Sequence, residues 1–525
     1  MGTQTFCTKN QSHDLHKTEK TASLPLENLP VEYVSNFSFL GIVLDRKLNW
    51  GPHIARLKER SQKDLRLLSL LAHTKWSADY VSLRRIYTAV LLPKIEYGGF
   101  LFATAAPTHL LTLNRIQYAA ARLILGALCC TRVDALEAEA DLLPLPLRYN
   151  IQLAKYAARI LSIPDHPLGS LVHDYYHYQL YNDSPYPIPI VGRIRQTFGE
   201  LGISYKNIAK CSVSSRYATY DVHCRCSIGE NSKQNLSEEQ WQLVFTDMNC
   251  TYFPRTAIFT DGSVQGERSG CAVWSRDFQL KARLPDYSSS YTAELYAIYY
   301  ALKFIIKLDG IYVIYTDSYS AIATMSKPTR AKHYLINTIQ EMLHNQKKKV
   351  IIEWVPSHVG IVGNERADAL AKESLTLPVS ANIPIALPEC SRTIMKYFKD
   401  KWQTMWTFGN AKHLEMKPML VPTVPEQLSR SHQRIITRLR LNTCLFTHSH
   451  YFTSSPRPVC LSCSCILDIK HLLVDCPDYQ VYREGIIKQC KTIKLPLTLK
   501  TLLNQNFPCD LVIKFFQDCH YLDKV

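Results

Sequence analysis

The chain has 525 residues, of which 46% are hydrophobic and 20% are charged. This length exceeds the size at which a single core stops growing, so we expect a globular protein of two to four domains. The net charge of +16 favours a polyanionic partner, because Lys and Arg neutralise phosphates; a merely basic surface is the alternative.

The cysteines and the hydropathy indicate a location inside the cell. Seventeen cysteines are scattered without the spacing of a small secreted disulfide framework. No signal-peptide pattern opens the chain, and the apolar stretch 296–306 is interrupted by Lys303. We therefore expect a reducing intracellular compartment, nucleus or cytoplasm, and no membrane partner.

Residues 51–165 have helical patterns. In the first of them, Ile54, Leu57 and Leu65 fall on one face, with basic residues among their polar neighbours. Such basic faces could grip a nucleic-acid duplex, although they are also common on plain solvated surface. The predicted helices span 52–73, 77–92 (ending at Pro93), 107–127 and 147–162.

Residues 166–252 are rich in Pro, Tyr, Ser and His, a composition that predicts a linker region. Cys224 and Cys226 form a C-x-C pair, which is weak evidence for a metal site without a second pair nearby. We expect no chemistry from this region.

Residues 253–377 follow an α/β pattern. Period-two alternation and short apolar runs predict strands, and apolar positions at helical spacing predict helices between them. The predicted order is three strands (256–260, 270–276, 278–284), a helix (291–307), a strand (311–316), helices to about 346, a strand (350–355) and a final helix.

Four carboxylates occupy strand ends and helix starts of this pattern. Asp261 and Asp317 end apolar strands, Glu294 opens a helix, and Asp368 lies early in the last helix. Such positions converge on one edge of an open α/β sheet. Carboxylates held together need cations, and oxygen ligands suit Mg²⁺ or Mn²⁺, two of which can promote phosphodiester cleavage. A start for the last helix is expected at Gly363 and Asn364.

These residues resemble the type 1 ribonuclease H domain. The segment WVPSHVGIVGNERAD at 354–368 is similar to the corresponding segment in the polyproteins of jockey-like non-LTR retrotransposons. The resemblance implies a mixed five-stranded sheet with helices, and metal-dependent hydrolysis of the RNA strand of RNA–DNA hybrids. It also implies that Asp261 bridges two Mg²⁺ ions, that Asp368 completes the site of the water-activating ion, and that Glu294 and Asp317 hold the other.

Further site residues follow from the same resemblance. His358, in a loop bounded by Pro356 and Gly360, is expected to assist proton transfer or product release. Ser318 and Asn364 are expected to contact the substrate.

The chain departs from the family beside the helix-opening glutamate. Cellular members usually carry amide side chains just before it, whereas this chain has Ser290, Tyr291 and Thr292. Contacts with the hybrid are therefore expected to be weaker or differently made.

The segment 31–50 resembles the end of a reverse-transcriptase palm, a strand pair around the FLG turn, so that 51–165 would be a helical thumb. A polymerase palm needs adjacent aspartates, and the sequence contains no Asp-Asp pair. We expect a fragment of an element's polyprotein, or a truncated gene, that depends on a palm or another element-encoded protein for polymerisation.

Residues 390–450 are predicted to be helical, and four arginines make their later part basic, which would suit RNA binding. These are Arg430, Arg434, Arg438 and Arg440.

The segment 455–485 resembles a zinc knuckle. Cys460, Cys463, His471 and Cys476 follow the spacing C-x2-C-x7-H-x4-C, which can supply four tetrahedral ligands to Zn²⁺. Cys465 is a rival ligand, and reduced cysteines in a small core are the alternative.

Two other functions stay open at this point. The chain could be a noncatalytic nucleic-acid-binding protein, or a polymerase-associated subunit without its own palm site.

Overall fold

The chain divides into two compact units in a computed structural model. The first unit comprises Met1–Gln152 and Phe398–Val525, and the second comprises Leu153–Tyr397. The predicted thumb and the two predicted C-terminal regions therefore belong largely to one unit. The structure describes residues 11–12, 25–26, 29–30, 32–73, 78–173, 188–210, 224–227, 236–327, 333–344, 350–380, 383–409, 411–421, 428–453, 455–504 and 506–525.

The first unit begins with a hairpin and continues as helices. Strands Asn36–Phe39 and Ile42–Asp45 are antiparallel and meet at the predicted FLG turn, where Leu40 and Gly41 have positive φ. Much of 1–31 lies outside the described residues. The helices that follow are Gly51–Leu71, Tyr80–Ile86 with a π-helical turn to Leu91, Leu92–Glu96, Gly99–Phe102, Pro107–Leu125, Val133–Ala140 and Leu145–Ser162.

Two of these elements differ from the sequence prediction. The second helix starts at Tyr80, because Asp79 accepts a hydrogen bond from the Ser82 N–H (2.8 Å) and caps it. Pro93 lies in the first turn of the next helix, where its missing N–H costs nothing, instead of ending the previous one.

The core of the first unit includes residues from both ends of the chain. Ile54 and Leu57 are buried in it, as the pattern predicts, and Trp406 and Leu441 join the same core. A second core contains Phe515 and Phe516. The later helices are Ala411–Met416, Arg430–Arg440, Leu445–His448, Glu484–Thr492, Leu499–Leu502 and Cys509–Asp518.

The second unit contains a mixed six-stranded sheet, one strand more than predicted. Three antiparallel strands are followed by three parallel ones. The extra strand, Cys224–Arg225, comes from the region predicted to be a linker and pairs with the last predicted strand. The order across the sheet is Gln279–Arg283, Arg268–Trp274, Thr256–Gln265, Tyr312–Thr316, Val350–Trp354 and Cys224–Arg225.

Alternate residues of the central strands face two different cores. Ile258 and Ile314 pack in the core that contains the helix Ser290–Ile305. Phe259 and Tyr315 pack in the other core. This period of two explains why the apolar strand runs are continuous: both faces of the sheet are covered. The helices of this unit are Pro167–His173, Ile190–Glu200, Glu238–Cys250, Ser290–Ile305, Tyr319–Met325, Tyr334–His344, Val362–Ser374 and the first half of Leu387–Gly409.

The described parts of 166–252 are more ordered than a linker. Helix Glu238–Cys250 begins with a capping box, in which Ser237 and Gln240 satisfy each other's main-chain N–H groups. Trp241 of this helix is buried against the sheet core. Among all described residues, no helix combines the length and hydropathy needed to cross a bilayer.

Candidate active site and metal centre

Strand register makes two aspartates neighbours, but only Asp317 follows the end of its strand; Asp261 lies inside the strand Thr256–Gln265, which continues past the predicted end at residue 260. Thr260 lies beside Thr316 in the parallel pair formed by Thr256–Gln265 and Tyr312–Thr316. The residues that follow them are Asp261 and Asp317, so the two side chains arrive at the same level. The apolar runs that precede them fix the strands in the core.

A glycine lets the third carboxylate approach. Gly262 follows Asp261, and a Cβ built on it would lie 2.5 Å from the main-chain nitrogen of Glu294. Only glycine permits this contact between the strand and the first turn of the helix Ser290–Ile305. Ser289 caps that helix by accepting a hydrogen bond from the Thr292 N–H.

Asp261, Glu294 and Asp317 each place a carboxylate oxygen within 4.8 Å of the others. Burial, followed by the charges of Asp317 and Asp368, raises the pKa of Asp261 to about 7. Burial and then Asp261 raise the pKa of Glu294 well above its ordinary value. The Glu294 Oε2 atom is buried without a hydrogen-bond partner among the described residues. This crowding of negative charge suits a divalent cation with oxygen ligands.

Asp368 lies beside this group and belongs to a second one. A carboxylate oxygen of Asp368 lies within 4.8 Å of ligand atoms of His358 and Glu365. Lys372, one helical turn further on, forms an ion pair with Asp368 at 2.6 Å. The structure thus brings three predicted carboxylates together and places the fourth close enough to raise the pKa of Asp261.

Glu365 is a site candidate that the sequence analysis missed. It precedes Asp368 by three residues, a spacing that places both on one face of the helix Val362–Ser374 and that could have identified it. His358 is exposed in its loop and has a φ of 55°. One imidazole and two carboxylates are therefore grouped next to the buried carboxylates.

The helix that carries Asp368 begins earlier than predicted. It starts at Val362, so Gly363 and Asn364 lie in its first turn and do not precede it. Gly363 faces the ring of Phe259, where an added Cβ would lie 2.2 Å from a ring carbon. The glycine therefore serves close packing on the sheet, not a break in the chain.

The two predicted substrate contacts have different surroundings. Ser318 is half-buried beside Asp317 and caps the helix Tyr319–Met325 through the Ala321 N–H (3.4 Å). Asn364 is only 2% exposed, and its Oδ1 atom has no partner among the described residues. A direct contact between Asn364 and a substrate would need a local opening, and both contacts stay predictions.

Thr292, one of the residues found before Glu294 where the family usually has amide side chains, contacts a neighbouring helix. Thr292 is buried, and its hydroxyl donates to a carboxylate oxygen of Glu389 at 2.6 Å. Ser289 and Arg392 also bond to Glu389, at 3.3 and 2.9 Å. In this chain the position is therefore engaged by a neighbouring helix, Leu387–Gly409.

The predicted zinc ligands come together in the first unit. Ligand atoms of Cys460, Cys463, His471 and Cys476 lie within 4.8 Å of one another. The Cys476 sulfur is 3.8 Å from those of Cys460 and Cys463. Tetrahedral Zn²⁺ with Zn–S bonds of about 2.3 Å places two sulfurs about 3.8 Å apart.

Two details bear on the chemistry of this group. Hydrogen bonding, first from the main chain of Cys463 and then from His471, lowers the pKa of Cys460 to about 6. A low thiol pKa favours the thiolate that binds metal. The rival ligand Cys465 lies outside the group, with its sulfur 3.4 Å from Nδ1 of His471.

The arginines of the helix Arg430–Arg440 are less exposed than the sequence indicates. Arg440 is buried and pairs with the buried Glu139 at 2.8 Å. Arg430 and Arg438 donate to main-chain oxygens of Leu123 and Gly126. Three of the four arginines predicted to make this helix basic therefore have long-range partners, and the role of the helix in RNA binding stays a prediction.

Comparisons with known proteins agree with the geometry of the second unit. Residues 254–376 match the RNase H family. The chain is 24% identical over 135 residues to the probable RNA-directed DNA polymerase from transposon X-element of Drosophila melanogaster, covering 26% of this chain and 15% of that protein.

Two further Drosophila melanogaster relatives are similar at the same level. They are the probable RNA-directed DNA polymerase from transposon BS (24% over 140 residues, 27% of this chain and 16% of that protein) and the RNA-directed DNA polymerase from mobile element jockey (24% over 150 residues, 29% and 16%). The matches thus span about one sixth of these relatives' length. Residues 254–376 form a ribonuclease H domain, in a chain that resembles the C-terminal part of a jockey-like non-LTR retrotransposon polyprotein.

Proposed function

We propose that the chain is a divalent-metal-dependent endonuclease that hydrolyses the RNA strand of RNA–DNA hybrids. The observation that carries the proposal is the convergence of Asp261, Glu294 and Asp317 within 4.8 Å, in a domain of the RNase H family. The raised pKa values of Asp261 and Glu294 and the unpartnered Glu294 Oε2 atom fit a cation of the Mg²⁺ or Mn²⁺ type.

The residues of the site divide the work of phosphodiester hydrolysis. Asp261, Glu294, Asp317 and Asp368 would hold the cations. Mg²⁺ ions bound there would lower the pKa of a water and stabilise the charge on the leaving oxygen. Asp261 feels the charges of both Asp317 and Asp368, so removal of its own charge would weaken the binding of cations by the whole group. The ion pair of Asp368 with the exposed Lys372 can open when a cation competes for the carboxylate.

His358 assists by moving a proton. Its side chain is exposed, and a ring nitrogen lies within 4.8 Å of carboxylate oxygens of Asp368 and Glu365, so it is available to a substrate bound beside these carboxylates. A histidine with a near-neutral ordinary pKa can give a proton at physiological pH and recover it from solvent.

A comparison of substrates tests this function. Purified full-length protein is incubated with end-labelled RNA–DNA hybrid, duplex RNA and duplex DNA, with Mg²⁺ or with chelator. We expect cleavage of the RNA strand of the hybrid in Mg²⁺ alone. Cleavage of duplex DNA, or cleavage that persists in chelator, would contradict the proposal, and binding without cleavage would support a noncatalytic role.

We also propose that Cys460, Cys463, His471 and Cys476 bind one Zn²⁺ in a structural site. The four ligand atoms within 4.8 Å of one another and the 3.8 Å sulfur separations support four protein ligands around one ion. Four protein ligands leave no open position for a substrate water, so the ion would stabilise the fold and take no part in hydrolysis.

A further inference from the structure

Four arginines surround a cavity in the first unit. The cavity has a volume of about 570 Å³ and is lined by Arg122, Arg430, Arg434 and Arg438 together with apolar side chains. The last three are four residues apart and so share one face of the helix Arg430–Arg440. Among the described residues, no Asp or Glu side chain forms an ion pair with any of the four.

Two of these arginines donate hydrogen bonds to the C-terminal end of a helix. Arg430 donates to the Leu123 carbonyl at 2.8 Å, and Arg438 donates to the Gly126 carbonyl at 2.7 Å. These carbonyls belong to the C-terminal end of the helix Pro107–Leu125, where cations are favoured. Arg438 also donates to the main-chain oxygen of Val525 at 2.9 Å.

In the described structure, the helix end provides no acceptor for the remaining arginine N–H groups. Arg434 forms no hydrogen bond or ion pair with any described residue, and its stem lies over Gly126, where an added Cβ would be 2.5 Å from its Cγ. The Nε atoms of Arg122 and Arg430 are buried and also lack partners in the described part of the chain. Buried N–H groups normally have an acceptor, so these two arginines of the cavity are incompletely satisfied within the described structure.

The charges of the cavity repel one another. Burial and then the neighbouring Arg434 lower the pKa of Arg430 to about 10, and the same two causes lower the pKa of Arg438. Asp79 partly offsets this at Arg430. A bound anion would relieve the repulsion and give the Arg434 guanidinium an acceptor, and a phosphate matches the fork of a guanidinium particularly well.

The rest of the cavity indicates what carries the phosphate. Leu65, Leu123 and Ala127 provide apolar surface that can contact a sugar or a base. The volume exceeds what a single phosphate fills, and the net charge of +16 favours a polyanion. We propose that Arg122, Arg430, Arg434 and Arg438 bind a backbone phosphate of a nucleic-acid strand, separately from the ribonuclease H site.

Arg434 offers the sharpest test, because its removal breaks no hydrogen bond within the described structure. The affinity of the full-length protein for a single-stranded RNA oligonucleotide is measured in chelator, as a function of salt. We expect Arg434→Ala to weaken binding about five- to tenfold and to reduce the salt slope by about 0.7, the loss of one phosphate contact. Arg434→Lys, which keeps the charge and loses the fork, should be intermediate.

Arg85→Ala is the matched control. Arg85 is an exposed arginine of the first unit that does not line the cavity. Its replacement by alanine therefore removes one positive charge, as Arg434→Ala does, but leaves the cavity unchanged. Equal affinities for Arg434→Ala and Arg85→Ala would overturn the proposal. It would also be overturned if inorganic phosphate raised the Tm of the unchanged protein but not of Arg434→Ala, while RNA affinity stayed equal in both, because the cavity would then hold only small anions.

Discussion

At the scale of single residues, His358 is the group expected to modulate the reaction without being indispensable. Proton transfer by a positioned side chain is worth about 10²- to 10⁴-fold. We therefore predict that His358→Ala lowers kcat within this range and leaves detectable cleavage. The measurement is single-turnover hydrolysis of labelled hybrid in Mg²⁺, and a loss as complete as that caused by removing Asp261 would show that His358 has another role.

The raised pKa of Asp261 predicts a pH dependence of stability. Its folded-state pKa of about 7 lies above the ordinary value, so the folded protein keeps a proton that the unfolded chain releases at mid-range pH. The stabilisation is complete below the unfolded pKa and is lost as pH rises through 7. A folded-state pKa higher by one than the unfolded value corresponds to about 1.4 kcal/mol, so the stability lost between pH 5 and 8 is on the order of 3 kcal/mol.

Urea unfolding of the metal-free protein checks this dependence. We expect the free energy of unfolding to fall from pH 5 to pH 8, and to fall less in Asp261→Asn, which has no such proton to lose. Added Mg²⁺ should stabilise the unchanged protein at pH 8 and not the variant. Identical pH profiles for the two proteins would mean that Asp261 does not titrate in this range.

Prediction from sequence identified the two aspartates that follow apolar runs, but it placed Asp261 at the end of a strand that in fact continues to Gln265. Asp261 and Asp317 follow apolar runs, and their register makes them neighbours. Prediction from sequence failed where the partner of a side chain lies far away in the chain. The pairing of Arg440 with Glu139 joins positions 301 residues apart, and the bond from Thr292 to Glu389 depends on a helix outside the matched family residues.

At the scale of elements, the contact between the strand Thr256–Gln265 and the helix Ser290–Ile305 depends on Gly262. The atoms nearest to an added Cβ are main-chain atoms of Glu294 and Ala293, at 2.5 and 2.7 Å, and these cannot move alone. We predict that Gly262→Ala destabilises the protein by about 3 kcal/mol and also impairs cleavage. Gly199→Ala is the control, since a Cβ there meets nothing within 4 Å on the helix Ile190–Glu200.

Denaturant titration distinguishes the two glycine variants. Gly199→Ala should be neutral or stabilising by up to about 1 kcal/mol, because alanine favours helix. If Gly262→Ala were equally harmless, the strand and helix would not be in the close contact described.

The Cys/His element makes a separate prediction. Cys460→Ser together with Cys476→Ser should remove one Zn²⁺ per full-length chain and lower the Tm, because a structural ion contributes folding energy. Cys250→Ser with Cys129→Ser, two exposed cysteines outside the group, should leave the metal content unchanged. Elemental analysis of the purified proteins is the measurement, and hybrid cleavage should persist in all of them.

Zinc undiminished in the Cys460→Ser and Cys476→Ser protein would contradict this assignment. The helices and strands around the carboxylates were largely predictable, since apolar periodicity is a local property of the sequence, whereas no element was predicted after residue 450. The early start of Val362–Ser374 was not, because Gly363 is selected by its contact with Phe259 and not by a break in the chain.

At the scale of the whole molecule, the two compact units do not follow the order of the chain. The first unit joins the N-terminal helices with Phe398–Val525, and residues such as Trp406 complete the N-terminal core. Sequence patterns predicted consecutive regions, because periodicity reports which face of a helix is buried but not what covers it. Experiments on the C-terminal region are therefore best made in the full-length chain.

We propose above all that the clustered carboxylates of the ribonuclease H domain support metal-dependent cleavage of hybrid RNA. The most direct measurement compares Asp261→Asn with Asp277→Asn in full-length protein, since Asp277 is an exposed aspartate of the same domain. Both variants lose one negative charge, but only the first alters the site. Both are assayed for cleavage in Mg²⁺ and for hybrid binding in chelator.

The account predicts that Asp261→Asn binds hybrid about as tightly as the unchanged protein and loses about 4 to 8 kcal/mol of transition-state stabilisation, which is about three to six orders of magnitude in rate. Asp277→Asn should cleave at the unchanged rate. Cleavage retained in Asp261→Asn would contradict the account.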